Sequence, residues 1–433
     1  MVDLVTRIKG KDTRHLWALV ERTAPRAATA LSSVALAVLV SPDQVGVYAL
    51  GIVVLTFVQA ITDVGARQSL LLHWGQGDTR GFFRRFSWIS IPGSLLAMAG
   101  GLVLVSRLST GADESSFVTL LPMLVVPGLA ILSMPAMVEL QARGHWRQAT
   151  TSQGVGAIVG LVVGLAVMLS TRSILGAAVQ LAVAEVMTLL LATTAARRRR
   201  AARRDGDAHG LVGDYALTSG YAVLGWGQGQ VDRLALGAWA GAATLGLYTF
   251  AAQVSRSLSE AAAQGTSSVL RSDLGRVDSV DDADAIRSTV NRAMSRSASL
   301  VAAVATVSIA GAAVLALVLS PDWRPALLVV PLFAASGFGT AASWNTTALL
   351  QRIGRVGRAM WVRVVGVLLA FPIAWAAAHS LALAAGLVVA RELAVALLLG
   401  IACGRHAPVR GLVAICSWTA AFSLLGFIAL WIF

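Results

Sequence analysis

Leu39-Val40-Ser41-Pro42-Asp43-Gln44-Val45-Gly46-Val47-Tyr48-Ala49 joins two long apolar runs through one short turn, and its second half returns later as Leu245-Gly246-Leu247-Tyr248. Proline cannot continue a helix from the preceding segment, and Ser, Asp and Gln beside it favour a turn. The stretch therefore predicts a helical hairpin, with Gly46-Val47-Tyr48 opening its second arm. The same opening two hundred residues on predicts a second hairpin of the same kind. A second echo supports it: Glu139-Leu140-Gln141-Ala142-Arg143-Gly144 in the first half and Leu349-Leu350-Gln351-Arg352-Ile353-Gly354 in the second. Each glycine is followed five residues later by an alanine, Ala149 and Ala359. The chain thus reads as a duplicated unit.

Composition sets the solvent of those hairpins. The 433 residues are 56% hydrophobic and 13% charged, with a mean hydropathy of +0.73, far from a soluble globular domain. Apolar runs of about 18 or more residues recur, as membrane-spanning helices require. Strand-like alternation is absent, which excludes an outer-membrane barrel. Thirteen spans are expected, at roughly 20–40, 46–65, 87–106, 117–139, 149–170, 174–195, 215–239, 245–268, 297–319, 325–350, 359–378, 380–402 and 411–432. The first resembles a retained anchor rather than a cleavable signal peptide. The expected fold is an all-α polytopic membrane protein of two six-helix lobes, 1–195 and 214–402, with an accessory span in 403–433. A basic cytoplasmic linker, 196–213, joins the lobes. Six spans per lobe start both lobes on the same side, so the repeat is parallel, about an axis along the membrane normal. Prolines 122, 127 and 135 in span four, and Pro331 with Gly337 and Gly339 in span ten, are expected to kink those helices.

The net charge of +13 first suggests a nucleic-acid partner, but its distribution points elsewhere. With the N-terminus inside, Arg107, Arg172 and Arg324 lie outside and Arg26, Arg233, Arg256 and Arg391 within spans, leaving 28 of the 35 Lys and Arg inside. That is the positive-inside asymmetry. The run Arg197 to Arg200 with Arg203 and Arg204 is a topology anchor on anionic lipid, not a nucleic-acid site. Asp281-Asp282-Ala283-Asp284 lacks the glycine and glutamate of a calcium loop and reads as part of a solvated amphipathic helix. Cys403 and Cys416 lack metal-ligand spacing and read as packing residues. Trp239, Trp323 and Trp431 suit interfacial belts. No nucleotide loop or zinc-type cluster is present, no cofactor is implied, and the chain is not read as an enzyme.

Four spans carry a polar stripe at steps of three, four and seven, and so along one helical face. The stripes are Arg22, Arg26, Thr29, Ser33 in span one and Thr56, Gln59, Asp63, Arg67 in span two. Span seven has Tyr221, Gln228, Asp232, and span eight Gln253, Arg256, Glu260, Gln264. Charge at membrane depth is costly, so these faces should meet water, protein or a polar substrate. Glu139, Glu185, Arg391 and Glu392 are read as structural.

These residues resemble the multidrug/oligosaccharidyl-lipid/polysaccharide exporter superfamily, and more narrowly the Wzx-like flippases of polysaccharide biosynthesis. The resemblance rests on Leu39 to Ala49, on Asp63-Val64-Gly65, on Asp232-Arg233 with Leu245 to Tyr248, and on Leu350-Gln351 to Gly354 with Arg358. It covers spans one to twelve. It implies two lobes forming a V, with helices one, two, seven and eight lining a central cleft. It also implies a polyisoprenyl-pyrophosphate-linked glycan as substrate, in a bacterial cytoplasmic (inner) membrane. Implied partners are that lipid-linked glycan, membrane lipid, and a polysaccharide polymerase or glycosyltransferases. Arginine suits such a head because its charged fork grips phosphate oxygens in pairs. Arg26 lies about 20 Å and Arg256 about 15 Å below the outer turns, at 1.5 Å per residue. Both are expected phosphate contacts, with Arg22 at the cytoplasmic mouth; Arg233 is a further candidate, though Asp232 and Arg233 can alternatively pair with neighbouring helices. Thr29, Gln59, Gln228 and Gln253 are candidate sugar contacts, though interhelical bonding explains glutamines nearly as well. Asp232, Glu260 and Asp63 are candidates for coupling to a proton or sodium. Arg256 can alternatively pair with Glu260 one turn on, and Arg67 with Asp63. A cation-coupled drug exporter or a non-transporting membrane scaffold remain the other functional readings.

Overall fold

A computed structural model describes residues 14–64, 66, 67, 70, 79–108, 117–197, 211–275 and 282–432. Among them every regular element is helical. The helices are α1 (Arg14–Leu39), α2 (Pro42–Gln59), α3 (Thr79–Leu108), α4 (Val126–Ala142), α5 (Trp146–Thr171), α6 (Leu175–Arg197) and α7 (Leu211–Trp239). They continue with α8 (Gly241–Gly275), α9 (Ala283–Leu315), α10 (Val330–Arg352), α11 (Val356–Leu368, resumed as Ala370–His379), α12 (Leu381–Ala402) and α13 (Val409–Ile432). Each expected span meets one of them. Among the described residues ten stretches are long and apolar enough to cross a membrane, and α1, α7 and α8 lie outside that set. Helices α7 and α8 carry polar stripes, which dilute the apolar run without shortening the helix, and Ala24–Leu39 of α1 is a shorter apolar stretch.

Helix ends follow the residues present. Asp282 caps α9 by accepting from the Ala285 N–H at 2.9 Å, so the acidic stretch is the first turn of a long helix. Ser380 accepts from the Leu383 N–H at the start of α12. The echoed glycines close α4 and α10 alike, Gly144 at φ 74° and Gly354 at φ 68°. The next residue reaches back in both cases, His145 N–H to the Leu140 carbonyl and Arg355 N–H to the Leu350 carbonyl, each at 2.8 Å. This left-handed cap favours glycine. Arg355 and Arg358 donate to the carbonyls that end α12, where cations also suit the helix dipole. Cys403 beside them is buried; burial pushes its thiol up to about 12, so it packs as a neutral group.

The prolines divide their work. Pro122 lies in a 3-10 turn, Leu121–Val125, before α4, and a broken start of Pro321–Trp323 and Arg324–Leu328 precedes α10 at Pro331. Pro135 stays inside α4. Gly337 and Gly339 also stay inside a continuous helix, where they admit neighbours: a Cβ on Gly339 would stand 2.7 Å from the Glu392 carbonyl carbon. Trp323 departs from the interfacial expectation. The 3-10 turn folds it inward, leaving it 1% exposed and edge-on to Phe250 at 4.8 Å. Trp239 and Trp431 remain exposed.

The chain forms two compact units. The first takes the described parts of Met1–Ser32, Gly51–Ser106 and Glu114–Val223; the second takes those of Ser33–Leu50, Arg107–Asp113 and Leu224–Phe433. In the first, α5 packs along α6 through Gly156, Gly160 and Gly164, one turn apart. A Cβ there would come 2.5–2.8 Å from backbone carbonyl oxygens of α6, so only small residues permit the approach. In the second, α10 is the hub, packed on α8, α9, α12 and α13 and almost wholly buried. The tip of the first hairpin belongs to this unit too. A Cβ on Gly46 would overlap the Ala242 carbonyl, and one on Gly246 would overlap the Pro42 carbonyl. The contact is reciprocal under a shift of two hundred residues, which is consistent with the duplicated unit.

Candidate functional site

Asp232 of α7 is buried, and its neighbours come from two other helices. Tyr248 of α8 donates its hydroxyl to Asp232 Oδ2 at 2.7 Å, and Arg391 Nη1 of α12 stands 3.5 Å from the same oxygen. Arg391 Nη2 then donates to Glu392 Oε1 at 2.9 Å. Glu392 lies 3.7 Å from Arg256 Nη2 of α8 and accepts from the Thr340 hydroxyl of α10 at 3.3 Å. Arg256 reaches Glu260 one turn on, Nε to Oε1 at 3.5 Å. The signs alternate along this chain: Asp232, Arg391, Glu392, Arg256, Glu260.

Burial grades along it. The side chains of Asp232, Arg391 and Glu392 are 5% exposed or less, while Arg256 is at 16% and Glu260 at 35%. The buried end is strongly held, since parting a desolvated pair leaves an uncompensated charge. Arg256 is loosely held. Its contacts to Glu260, Glu392 and Thr340 measure 3.5–3.7 Å, long against the roughly 2.7–2.9 Å of a good charge-assisted bond, and its Nε makes no hydrogen bond. Arg256 is thus the cation of this cluster best able to turn to an incoming anion. Asp232 already faces a guanidinium where a coupling cation would sit.

The other candidates divide by unit. In the second, Gln228 is buried, accepts from Arg363 Nη1 at 3.3 Å and packs on Gly366. Arg233 donates to Gln230 on its own helix at 3.1 Å. Gln253 is half-buried, as are Arg256, Glu260 and Gln264 of the same stripe. In the first unit, Arg26, Thr29 and Gln59 are half-buried, and the Thr29 hydroxyl donates to the Pro25 carbonyl. Asp63 pairs with Arg67 at 3.2 Å, within electrostatic reach of Glu185 on α6. Asp63 sits in a π-helical turn, Ala60–Val64, a widening often found at functional sites. The Ile61 carbonyl in that turn accepts from the Tyr215 hydroxyl at 3.0 Å. The side chain of Arg22, residue Gly65 and the basic run from Arg198 to Arg204 lie outside the described residues. Among the described residues no group of three or more His, Cys, Asp or Glu could hold a metal ion.

Arg391 and Glu392 were read as structural charges on a helix away from the stripes, yet they join Asp232 to Arg256. Their signal in the sequence is position: an Arg-Glu pair halfway along an apolar span, where a charge is rarely idle. Arg363, counted with the inner loops, lies seven residues inside α11.

A family model described as polysaccharide biosynthesis protein matches residues 35–328. No curated protein matches the sequence. Among solved structures, the lipid II flippase MurJ in an inward closed conformation superposes with a TM-score of 0.68 at 11% identity, over 96% of this chain and 97% of that one. An inward-facing multidrug resistance MATE family transporter of the MOP superfamily gives 0.63 at 14% identity, over 95% and 96%. The outward-facing MATE structure gives 0.59 at 14% identity, again over 95% and 96%. At these identities the likeness establishes the fold.

Proposed function

The chain belongs to the polysaccharide biosynthesis protein family, and from that premise we propose that it is a flippase for a lipid-linked oligosaccharide. The substrate would be a polyisoprenyl-pyrophosphate glycan, moved from the inner to the outer leaflet of the bacterial cytoplasmic membrane by alternating access, for surface polysaccharide assembly. The observation that carries this reading is Arg256, a cation within the span whose protein contacts are all long. A phosphate offers it shorter, paired bonds. Arg26 is the corresponding choice in the first unit, with Arg22 and Arg233 as further cations and Thr29, Gln59 and Gln253 as sugar contacts. Gln228 would join them on leaving Arg363. A polymerase or glycosyltransferases would consume or supply the glycan. The charge asymmetry of the loops supports a cytoplasmic N-terminus.

The test is export. Arg256→Ala and Arg26→Ala are each expected to abolish surface glycan while the protein still inserts, read by immunoblot of membranes. Wild-type export in both variants would refute the assignment. The drug-exporter reading rests on the MATE-like fold. Cationic drugs call for unpaired acids, whereas Asp232 and Glu392 are paired. A scaffold would leave the stripes dry, so cysteines placed at Thr29 and Gln253 would then resist water-soluble thiol reagents.

A further inference from the structure

Two arginines share Glu392 and hold it differently. Arg391 is 2.9 Å from its Oε1 and cannot leave, being enclosed and also facing Asp232. Arg256 is 3.7 Å from the same oxygen and partly exposed. An anion that draws Arg256 away changes the balance of what remains. Asp232, Arg391 and Glu392 then form a group of two carboxylates and one guanidinium, one negative charge in excess. The group sits midway along α12, where uncompensated charge is costly.

The surroundings name where that charge is met. Glu392 is faced by Arg391 on its own helix, by Arg256 with Glu260 behind it on α8, and by Thr340 on α10. Asp232 of α7 is satisfied by the Tyr248 hydroxyl and Arg391, and the Arg233 guanidinium beside it is bonded to Gln230. Among the described residues α11 and α13 place no ion-pair partner on Glu392. Glu392 and Glu260 both lose a partner when Arg256 turns; Glu260, 35% exposed, stays open to water, whereas Glu392, 5% exposed, is left short in a closed site.

We propose that Glu392 takes up one proton from bulk solvent when a phosphate-bearing substrate engages Arg256, and returns it when the substrate leaves. An O–H bond forms on one Glu392 carboxylate oxygen, hydronium gives up the proton, and no electrons are transferred. This rests on the anionic-substrate reading above. It makes Arg391 and Glu392 positioning residues that link substrate occupancy to protonation.

The experiment uses the full chain in nanodiscs with farnesyl pyrophosphate as probe, titrated calorimetrically in buffers of different ionisation enthalpy. The difference between wild type and Glu392→Gln cancels the probe's own titration. Wild type is expected to take up about one proton more per probe bound, so its affinity tightens up to about tenfold per pH unit lowered, relative to the variant. Glu392→Gln should bind at least as well at neutral pH. If that variant does not fold, infrared difference spectra of wild type decide: a protonated-carboxyl band should appear on binding and shift on carbon-13 glutamate labelling. Equal proton uptake in both proteins, no such band, or dependence on sodium at fixed pH would overturn the proposal while leaving the substrate reading intact. No probe binding to wild type would remove both.

Discussion

Arg391 meets its two carboxylates from opposite directions in sequence, Glu392 adjacent to it and Asp232 on a helix 159 residues earlier. Periodicity could not find that meeting, because a stripe shows which face a residue occupies and not what the face touches. What the sequence does show is the Arg256–Glu260 spacing, which the structure realises as an ion pair within one helix. Removal of Arg391 separates a structural from an idle charge. Arg391→Ala takes the ion-pair partner from buried Asp232 and leaves Glu392 only the longer contact to Arg256, and is expected to cost about 3–5 kcal/mol. Tyr248→Phe deletes one hydroxyl bond to a charged acceptor and should cost about 1.5–3 kcal/mol. Thermal unfolding of the purified protein in detergent checks both, and equal midpoints for wild type and Arg391→Ala would show that the cluster contributes nothing.

At the scale of the helix, each of the thirteen expected spans meets a helix among the described residues, and in ten of them length and hydropathy alone suffice to specify a span. The finer breaks were less legible. The π turn at Ala60–Val64 has no residue signature, and its Ile61 carbonyl accepts from Tyr215 and Ser219 of α7. Trp323 was misplaced because aromatic content suggests an interface, whereas a 3-10 turn decided the direction of the ring. The α5–α6 contact makes a sharper prediction. Gly160→Leu places a branched side chain where a Cβ alone already stands 2.5 Å from the Gln180 carbonyl, so these helices should separate. Cysteine pairs on their facing surfaces should cross-link in the parent and fail to do so in the variant.

At the scale of the whole molecule, short echoes in the sequence suggest a duplicated unit, and the structure gives two of those echoes physical roles that are consistent with it. Gly144 and Gly354 cap equivalent helices in the same left-handed conformation, and Gly46 and Gly246 each admit a carbonyl from the other hairpin. The compact units do not follow the two halves of the sequence, because the tip Ser33–Leu50 belongs with Leu224–Phe433. Fragments 1–205 and 206–433 should therefore restore glycan export only when produced together, and Gly46→Val in the first fragment should prevent it. The reciprocal glycine crossing also sets a timetable for biogenesis. Ala242 is translated 196 residues after Gly46, so at roughly 5–20 residues per second the first hairpin waits on the order of 10–40 s for its partner. During that interval the notch at Gly46 stays unfilled, so the first hairpin is complete only once the second has been made.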